Sequence, residues 1–429
     1  MLTVDFTHLA KSSENAQNIP TIPLDELPKH KQMLLKMVAK HSQNPPTFAT
    51  LPNDHDNLVE IQQFVKENIY NYTDIIQVGL GGSILGAELL VKTVNKVDDD
   101  LPKIHIVDNV DPYLISDLEG QIDLSNSLFI IVTKSGTTPE TVALYSYFRR
   151  LIENANLTVS DHFIFITDPT KNMMRGVAAL DNIKCFDIPV NVGGRFSVLS
   201  NAGIILALFA GVDVPQLLQG AGSYYAYSLE SEKVEVYEYA LAHYLLYQQG
   251  VNIAVYLGYS NKFDPLGRWL TQLISESLGK AVNNKNEICN VGLTPISAIG
   301  SSAQHSILQL MNEGPYDKVT TFIHINSFGI SQEIPKINDP NLEYLSFHSV
   351  EKLLHTEMEA TRDSLSMNNR PSITLSINKL DAYHLGSLIM FFEMFVFAMG
   401  ELLNINVFDQ PGVETSKRLV KMRLTTANT

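Results

Sequence analysis

The sequence predicts an α/β protein made of two doubly wound parallel sheets flanked by helices. Three observations lead there. Uninterrupted apolar runs, such as residues 128–132, have the composition of strands buried on both faces. Such runs alternate with helical stretches at the spacing of strand–helix–strand units. Finally, 429 residues is more than one core usually serves, and the pattern restarts near Asn201, so about two domains are expected.

Residues 1–50 read as an N-terminal arm with one helix, because 19–28 carry three prolines and 30–41 have helical periodicity. The first sheet domain is expected over 51–200, the second over 201–400, with 401–429 as a C-terminal segment. A helix at 60–70 leads into the strand Asp74-Ile75-Ile76-Gln77-Val78, and Gly79-Leu80-Gly81-Gly82-Ser83 turns that strand into a helix from about Ile84. Gly79 and Gly81 match the first two glycines of a dinucleotide fingerprint, and Asp108 ends the next strand as a ribose-binding acid would. The third glycine position holds Ile84, so no nicotinamide cofactor is expected. A turn that lets the backbone of Gly82 and the Ser83 hydroxyl approach a sugar or its phosphate fits better.

The strand at 128–132 runs into Thr133-Lys134-Ser135-Gly136-Thr137-Thr138-Pro139-Glu140-Thr141. Pro139 suits the first position of a helix, with Thr138 as its cap. Strand, hydroxyl-rich turn and helix N-terminus together make an anion seat, because free backbone N–H groups and the positive end of the helix dipole meet there. Hydroxyls and the Lys134 ammonium add directed donors suited to a phosphate monoester. An ordinary capped turn has the same composition. Strands at 163–166 and 183–189 follow, then Gly193-Gly194-Arg195-Phe196-Ser197, where two glycines pin backbone near a guanidinium.

Beyond Asn201 come helices at 202–209 and 234–247 and a strand at 252–257. Val78-Gly79-Leu80-Gly81-Gly82-Ser83 and Val255-Tyr256-Leu257-Gly258-Tyr259-Ser260 share V-x-L-G-x-S, each placed after a strand, which suggests a duplicated domain. The second copy lacks paired glycines, so only the first should seat phosphate. A helix from about Asp264 ends near Glu276-Ser277-Leu278-Gly279-Lys280, and Ser301 and Ser302 cap another that carries His305. Strands at 318–325 and 372–377 and an apolar helix at 385–405 precede Asp409-Gln410-Pro411-Gly412-Val413-Glu414 and Lys417.

The net charge of −15 argues against nucleic acid and anionic membrane as partners, and means that an anionic substrate must be captured by local donors. Two cysteines in unlike contexts imply neither disulfides nor a thiolate metal site. Residues 1–18 lack a basic stretch followed by an apolar one, so a cytoplasmic location is expected. The 385–405 helix is long enough to span a bilayer, but Glu393 at its middle would cost ~2.5–3.5 kcal/mol there, and a core helix explains it better.

Phosphate donors with one Arg, Glu, His and Lys suit movement of a carbonyl between C1 and C2 of a sugar phosphate. That needs a carboxylate base beside a cation, and an acid–base pair for ring opening, but no metal or cofactor. Read singly, Glu276 is a solvated helix end, His305 a helix-start hydrogen-bonder and Lys417 a surface lysine.

Taken together, five stretches resemble the glucose-6-phosphate isomerase family: 78–83, 133–141, 193–197, 276–280 with 300–305, and 409–417. The resemblance implies two sugar-isomerase (SIS) domains in a homodimer with shared active sites, and a sugar phosphate as substrate. It implies that Thr133, Ser135, Thr138 and the Lys134 backbone hold the phosphate while Gly82, Ser83, Gly194 and Gln410 line the sugar. Glu276 would be the base, Arg195 would flank the enediolate, and His305 and Lys417 would serve ring opening. Leu278 stands where the family's Asn is expected and Pro139 where its Gln is, and 283–290 has little resemblance. The rivals are an isomerase of mannose or amino-sugar phosphates and a phosphosugar-binding regulator, which would not need Glu276, His305 and Lys417 together.

Overall fold

The computed structural model describes residues 2–10, 19–23, 25–54, 58–94, 100–170, 172–230 and 233–426. Its strands are β1 (Thr3–Asp5), β2 (Asp74–Val78), β3 (Lys103–Val107), β4 (Ser127–Val132), β5 (Phe163–Thr167), β6 (Lys184–Asp187), β7 (Ile253–Gly258), β8 (Lys280–Val282), β9 (Ile288–Val291), β10 (Thr294–Ile299), β11 (Lys318–Ile325) and β12 (Ser372–Ile377). The first sheet has the order β3-β2-β4-β5-β6 and is parallel throughout. The second has the order β10-β7-β11-β12-β1, in which only β1 runs antiparallel. Strands β2, β3, β4 and β5 thus match β7, β10, β11 and β12 in position and direction, so the strand order is duplicated.

Ladder register aligns the two copies. Val78 pairs with Val107 and Ile131, and Gly258 pairs with Ile299 and Ile323, so Val78 corresponds to Gly258. The V-x-L-G-x-S similarity is therefore three residues out of register. Its second copy begins inside β7 instead of following a strand. The true counterpart of the 3₁₀ turn Gly81–Ser83 is the 3₁₀ turn Asn261–Phe263.

Every residue of β2, β4 and β5 is buried, as helices on both faces require. The apolar helix runs over Ala382–Leu402, three residues earlier than its composition suggests, because Asp381 caps it by accepting from the His384 N–H at 2.9 Å. It is long and apolar enough to cross a bilayer, yet it lies packed inside the protein, and Glu393 is fully buried among its neighbours. Burial pushes the Glu393 carboxyl well above the usual carboxylate range. Glycine makes this packing possible: a Cβ on Gly220 would meet the Tyr383 carbonyl oxygen at 1.8 Å, and one on Gly386 the Leu217 oxygen at 2.0 Å.

The N-terminal arm differs from expectation. Its residues 3–5 are a strand of the second sheet, and it holds helices Glu26–Lys29, Lys31–Gln43 and Thr47–Thr50 instead of one. Its residues 1, 11–18 and 24, and 427–429 of the C-terminal segment, lie outside the described residues. Ser301 does not cap a helix: a 3₁₀ turn Ser302–His305 stands there, without a side-chain cap bond.

Candidate active site

Strand order in the first sheet reverses between β2 and β4, and the loops after these strands flank the resulting crevice, where open α/β sheets bind ligands. Two glycine loops meet at its floor. A Cβ on Gly82 would lie 2.1 Å from the Gly194 carbonyl carbon, so only glycine lets the 79–83 and 193–197 turns touch. The Ser197 hydroxyl donates to both the Gly82 and Gly194 carbonyls, at 3.2 and 2.7 Å, and locks them together.

On the β4 side, Thr138 occupies the cap position of helix Pro139–Asn154 but makes no side-chain cap bond. Its hydroxyl lies 3.1 Å from that of buried Thr133. The first-turn N–H groups have no intrahelical acceptor, so the helix start keeps its donors. Gly136 turns at φ +67°, and Asn172 packs where its Cβ would stand. The Lys134 ammonium is not a donor to this seat. It turns away to the Val190 and Val192 carbonyls, at 2.6 and 2.8 Å. Burial lowers it from its ordinary value, with Asp168 opposing.

The opposite wall comes from the second half of the chain. Helix Asp264–Leu278 carries Glu276 near its end, and Gln272, one turn earlier, donates to Glu276 Oε1 at 3.3 Å. Arg195 is almost wholly buried and fully used. Its Nε donates to Ser277 Oγ at 2.7 Å, and Nη1 reaches Gln410 Oε1 at 2.9 Å and Glu276 Oε2 at 3.3 Å. Its Nη2 reaches the Val407 carbonyl and, at 3.0 Å, that of Asp409. Burial lowers the guanidinium, while Glu276 and Asp409 oppose that shift. The carboxylate and the guanidinium are thus an ion pair at the edge of solvent, suited to a base beside a developing enediolate.

The crevice encloses about 550 Å³ and is lined by Gly82, Ser83, Lys134, Ser135, Thr138, Gly194, Arg195, Glu276, Gln410 and Lys417. Two of the expected residues stand elsewhere. Thr133 lies behind Thr138, and His305 is exposed on its turn after β10, outside this lining. Lys417 lines the crevice but pairs with Glu414 at 2.9 Å. Asp108 pairs with Arg268, which also holds Glu88, so the acid that a ribose would need is engaged. Sequence reading missed Gln272, Asn172 and Lys280. Gln272 left a signal, one helical turn before Glu276 on the same face, and so did Asn172, which caps helix Met173–Asp181 by accepting from the Arg175 N–H.

Fold and crevice together define a sugar-isomerase-type α/β protein. One solved structure of this kind, from Thermus thermophilus and titled a hypothetical protein, is 30% identical with a TM-score of 0.87 and covers 99% of this chain and 100% of that one. The chain belongs to the phosphoglucose isomerase family, whose model matches residues 57–428. A Carboxydothermus hydrogenoformans protein named glucose-6-phosphate isomerase is 33% identical over 97% of this chain and 93% of its own length. One of the same name from Campylobacter jejuni is 37% identical over 85% and 88%. The glucose-6-phosphate isomerase structure from Chlamydia trachomatis shares the fold at a TM-score of 0.83, with 22% identity over 96% of this chain and 88% of that one.

Proposed function

We propose that this chain is a glucose-6-phosphate isomerase that interconverts glucose 6-phosphate and fructose 6-phosphate. The observation that carries the reading is the Arg195–Glu276 pair at 3.3 Å, facing a hydroxyl-lined helix start across one crevice. Ser135 and Thr138, with the Lys134 backbone, hold the phosphate, and buried Thr133 backs the Thr138 hydroxyl. Gly82, Ser83, Gly194 and Gln410 line the sugar. Glu276 takes the C2 proton of the opened aldose and returns it to C1, while Arg195 balances the enediolate oxygen. Lys417 and His305 open the ring, and His305 is supplied by the partner subunit of a homodimer. Its exposure outside its own chain's crevice supports that sharing. The protein works in the cytoplasm on a free sugar phosphate, with residues 51–200 and 201–400 as its two domains.

Purified protein supplied with fructose 6-phosphate should form glucose 6-phosphate, with mannose 6-phosphate tested in parallel; preference for mannose 6-phosphate overturns the assignment. For sharing, inactive Glu276→Ala and His305→Ala homodimers are mixed under verified subunit exchange. About half the dimers are then mixed, each with one intact composite site, so roughly a quarter of parent activity should return. No recovery means that both residues serve one chain's site.

A further inference from the structure

Behind the crevice lies a second cavity of about 500 Å³, lined by the β8–β9 hairpin and by the strap that links helix Ala382–Leu402 to helix Glu414–Thr426. The strap, residues 406–413, is the wall between the two cavities, and Glu276, Gln410 and Val413 line both. Along it only Val407 is buried, and Phe408 rests its ring on Phe196 and Phe397; residues 409–413 are all exposed, so packing holds that part of the wall weakly. Polar bonds from the body of the protein do the holding.

Those bonds come from two buried cations. The Asp409 carbonyl accepts from the Arg195 guanidinium at 3.0 Å and also from the Lys280 ammonium. Lys280, with a side chain only 5% exposed, spends its other donors on the Asp409 carboxylate at 3.0 Å and the Glu276 carbonyl at 2.8 Å. One ammonium therefore joins the end of the Glu276 helix to the peptide just before Gln410. An ammonium has three donors and no more, and each finds an acceptor here. A buried ammonium is costly unless it is paired and hydrogen-bonded, and the Asp409 carboxylate with two carbonyls meets that need here.

We propose that Lys280 is a positioning residue of the isomerase: it latches the strap so that Gln410 and Lys417 stand beside Glu276 and Arg195 at the crevice. The proposal rests on the site assignments above. Lys280 is outside the crevice lining, and the phosphate seat lies on the other wall, after β4. Loss of the latch should therefore damage turnover and spare the phosphate seat.

The test uses the full-length protein with Lys280→Met, which keeps the aliphatic stem, and Lys280→Arg, for which the adjoining cavity leaves room. Hydrogen exchange of peptides covering 405–425 should quicken at least ~10-fold in Lys280→Met, while peptides of β2, β4 and β11 keep their rates. Its kcat should fall about 30- to 100-fold, and competitive inhibition by inorganic phosphate should stay within about twofold. Lys280→Arg should recover most of both losses. Unchanged exchange in the strap overturns the latch whatever the enzyme's substrate is. A loosened strap with intact turnover overturns its link to the site. Parallel loss of phosphate affinity and turnover means general destabilisation and overturns it as well.

Discussion

The two sheets share one strand order, but their C-terminal edges are furnished differently. At the first edge, Gly81, Gly82 and Ser83 leave backbone bare beside a run of hydroxyls. At the second, the same register positions hold Asn261, Lys262 and Phe263, and Phe263 is buried against Gly258. Tyr259 fills the space that Gly79 leaves, with its hydroxyl accepting from Gln304 at 2.9 Å. The Thr133–Thr138 run is replaced by Ile325 to Ile330, and there the Phe328 N–H already donates to the Glu351 carboxylate at 2.9 Å. A duplicated fold thus keeps its crevice in one copy and plugs it in the other with a ring and a carboxylate of its own. The second half is not idle, since it lends Glu276 and Gln410 to the first half's crevice. In the proposed reaction one half binds and the other supplies the base.

That division can be broken in four places. Glu276→Gln keeps size and removes charge, so turnover should drop by at least ~10²-fold while inorganic phosphate still inhibits as before; near-normal turnover would remove the second half from the chemistry. Acid should strike the second half through His243. Burial pushes its imidazole down to about 4, its Nδ1 donates to the Tyr239 carbonyl, and its other nitrogen has no partner. The folded state keeps it neutral while the unfolded chain takes a proton near pH 6.5. Stability present at neutral pH is therefore lost as pH falls from ~6.5 to ~4, by about 3 kcal/mol. Buried Glu393 contributes a slope of opposite sign, so the His243 term is read as the difference between the parent and His243→Gln in urea unfolding followed by the fluorescence of Trp269, the chain's one tryptophan; that difference should change by this amount as pH falls. Thr138→Ala should weaken substrate and phosphate by ~1.5–3 kcal/mol, measured by inhibition constants, with kcat altered less. The smallest effect belongs to Glu351→Gln: about 1 kcal/mol of stability by denaturant midpoint, unchanged turnover, and still one phosphate site per chain by calorimetry. A second phosphate site would mean that the plugged edge is an anion seat held shut.

How much of this was legible follows from burial. Strands covered on both faces, such as β4 and β5, announce themselves as nearly solid apolar runs, and the bounds of β2, β11 and β12 agree with the sequence reading. β10 does not. It is the edge of its sheet, half exposed, and carries Pro295, which only an edge tolerates. β1 is three residues long and is a strand only because β12 waits beside it. In the site, glycines and hydroxyls next to strand ends were readable because local geometry needs those residue types. The outward turn of Lys134 was not, since the Val190 and Val192 carbonyls that draw it lie over fifty residues away. Lys280 was hidden for the same reason, since its bond to the Asp409 carbonyl spans 129 residues, whereas Asn172 bonds only within 167–175 and was legible as the cap of helix Met173–Asp181.

The β1–β12 ladder joins Thr3 to Ser376. On a ribosome working at ~5–20 residues per second, about 20 to 75 s separate the synthesis of those two positions. Throughout that interval the short strand has no sheet to join, and the first sheet, complete by Asp187, can form without it. When β12 finally emerges, its outer edge is an open template for any extended segment nearby. The chain carries its own stopper for that edge, made long beforehand, and so competes within one molecule against pairing with a neighbouring nascent chain.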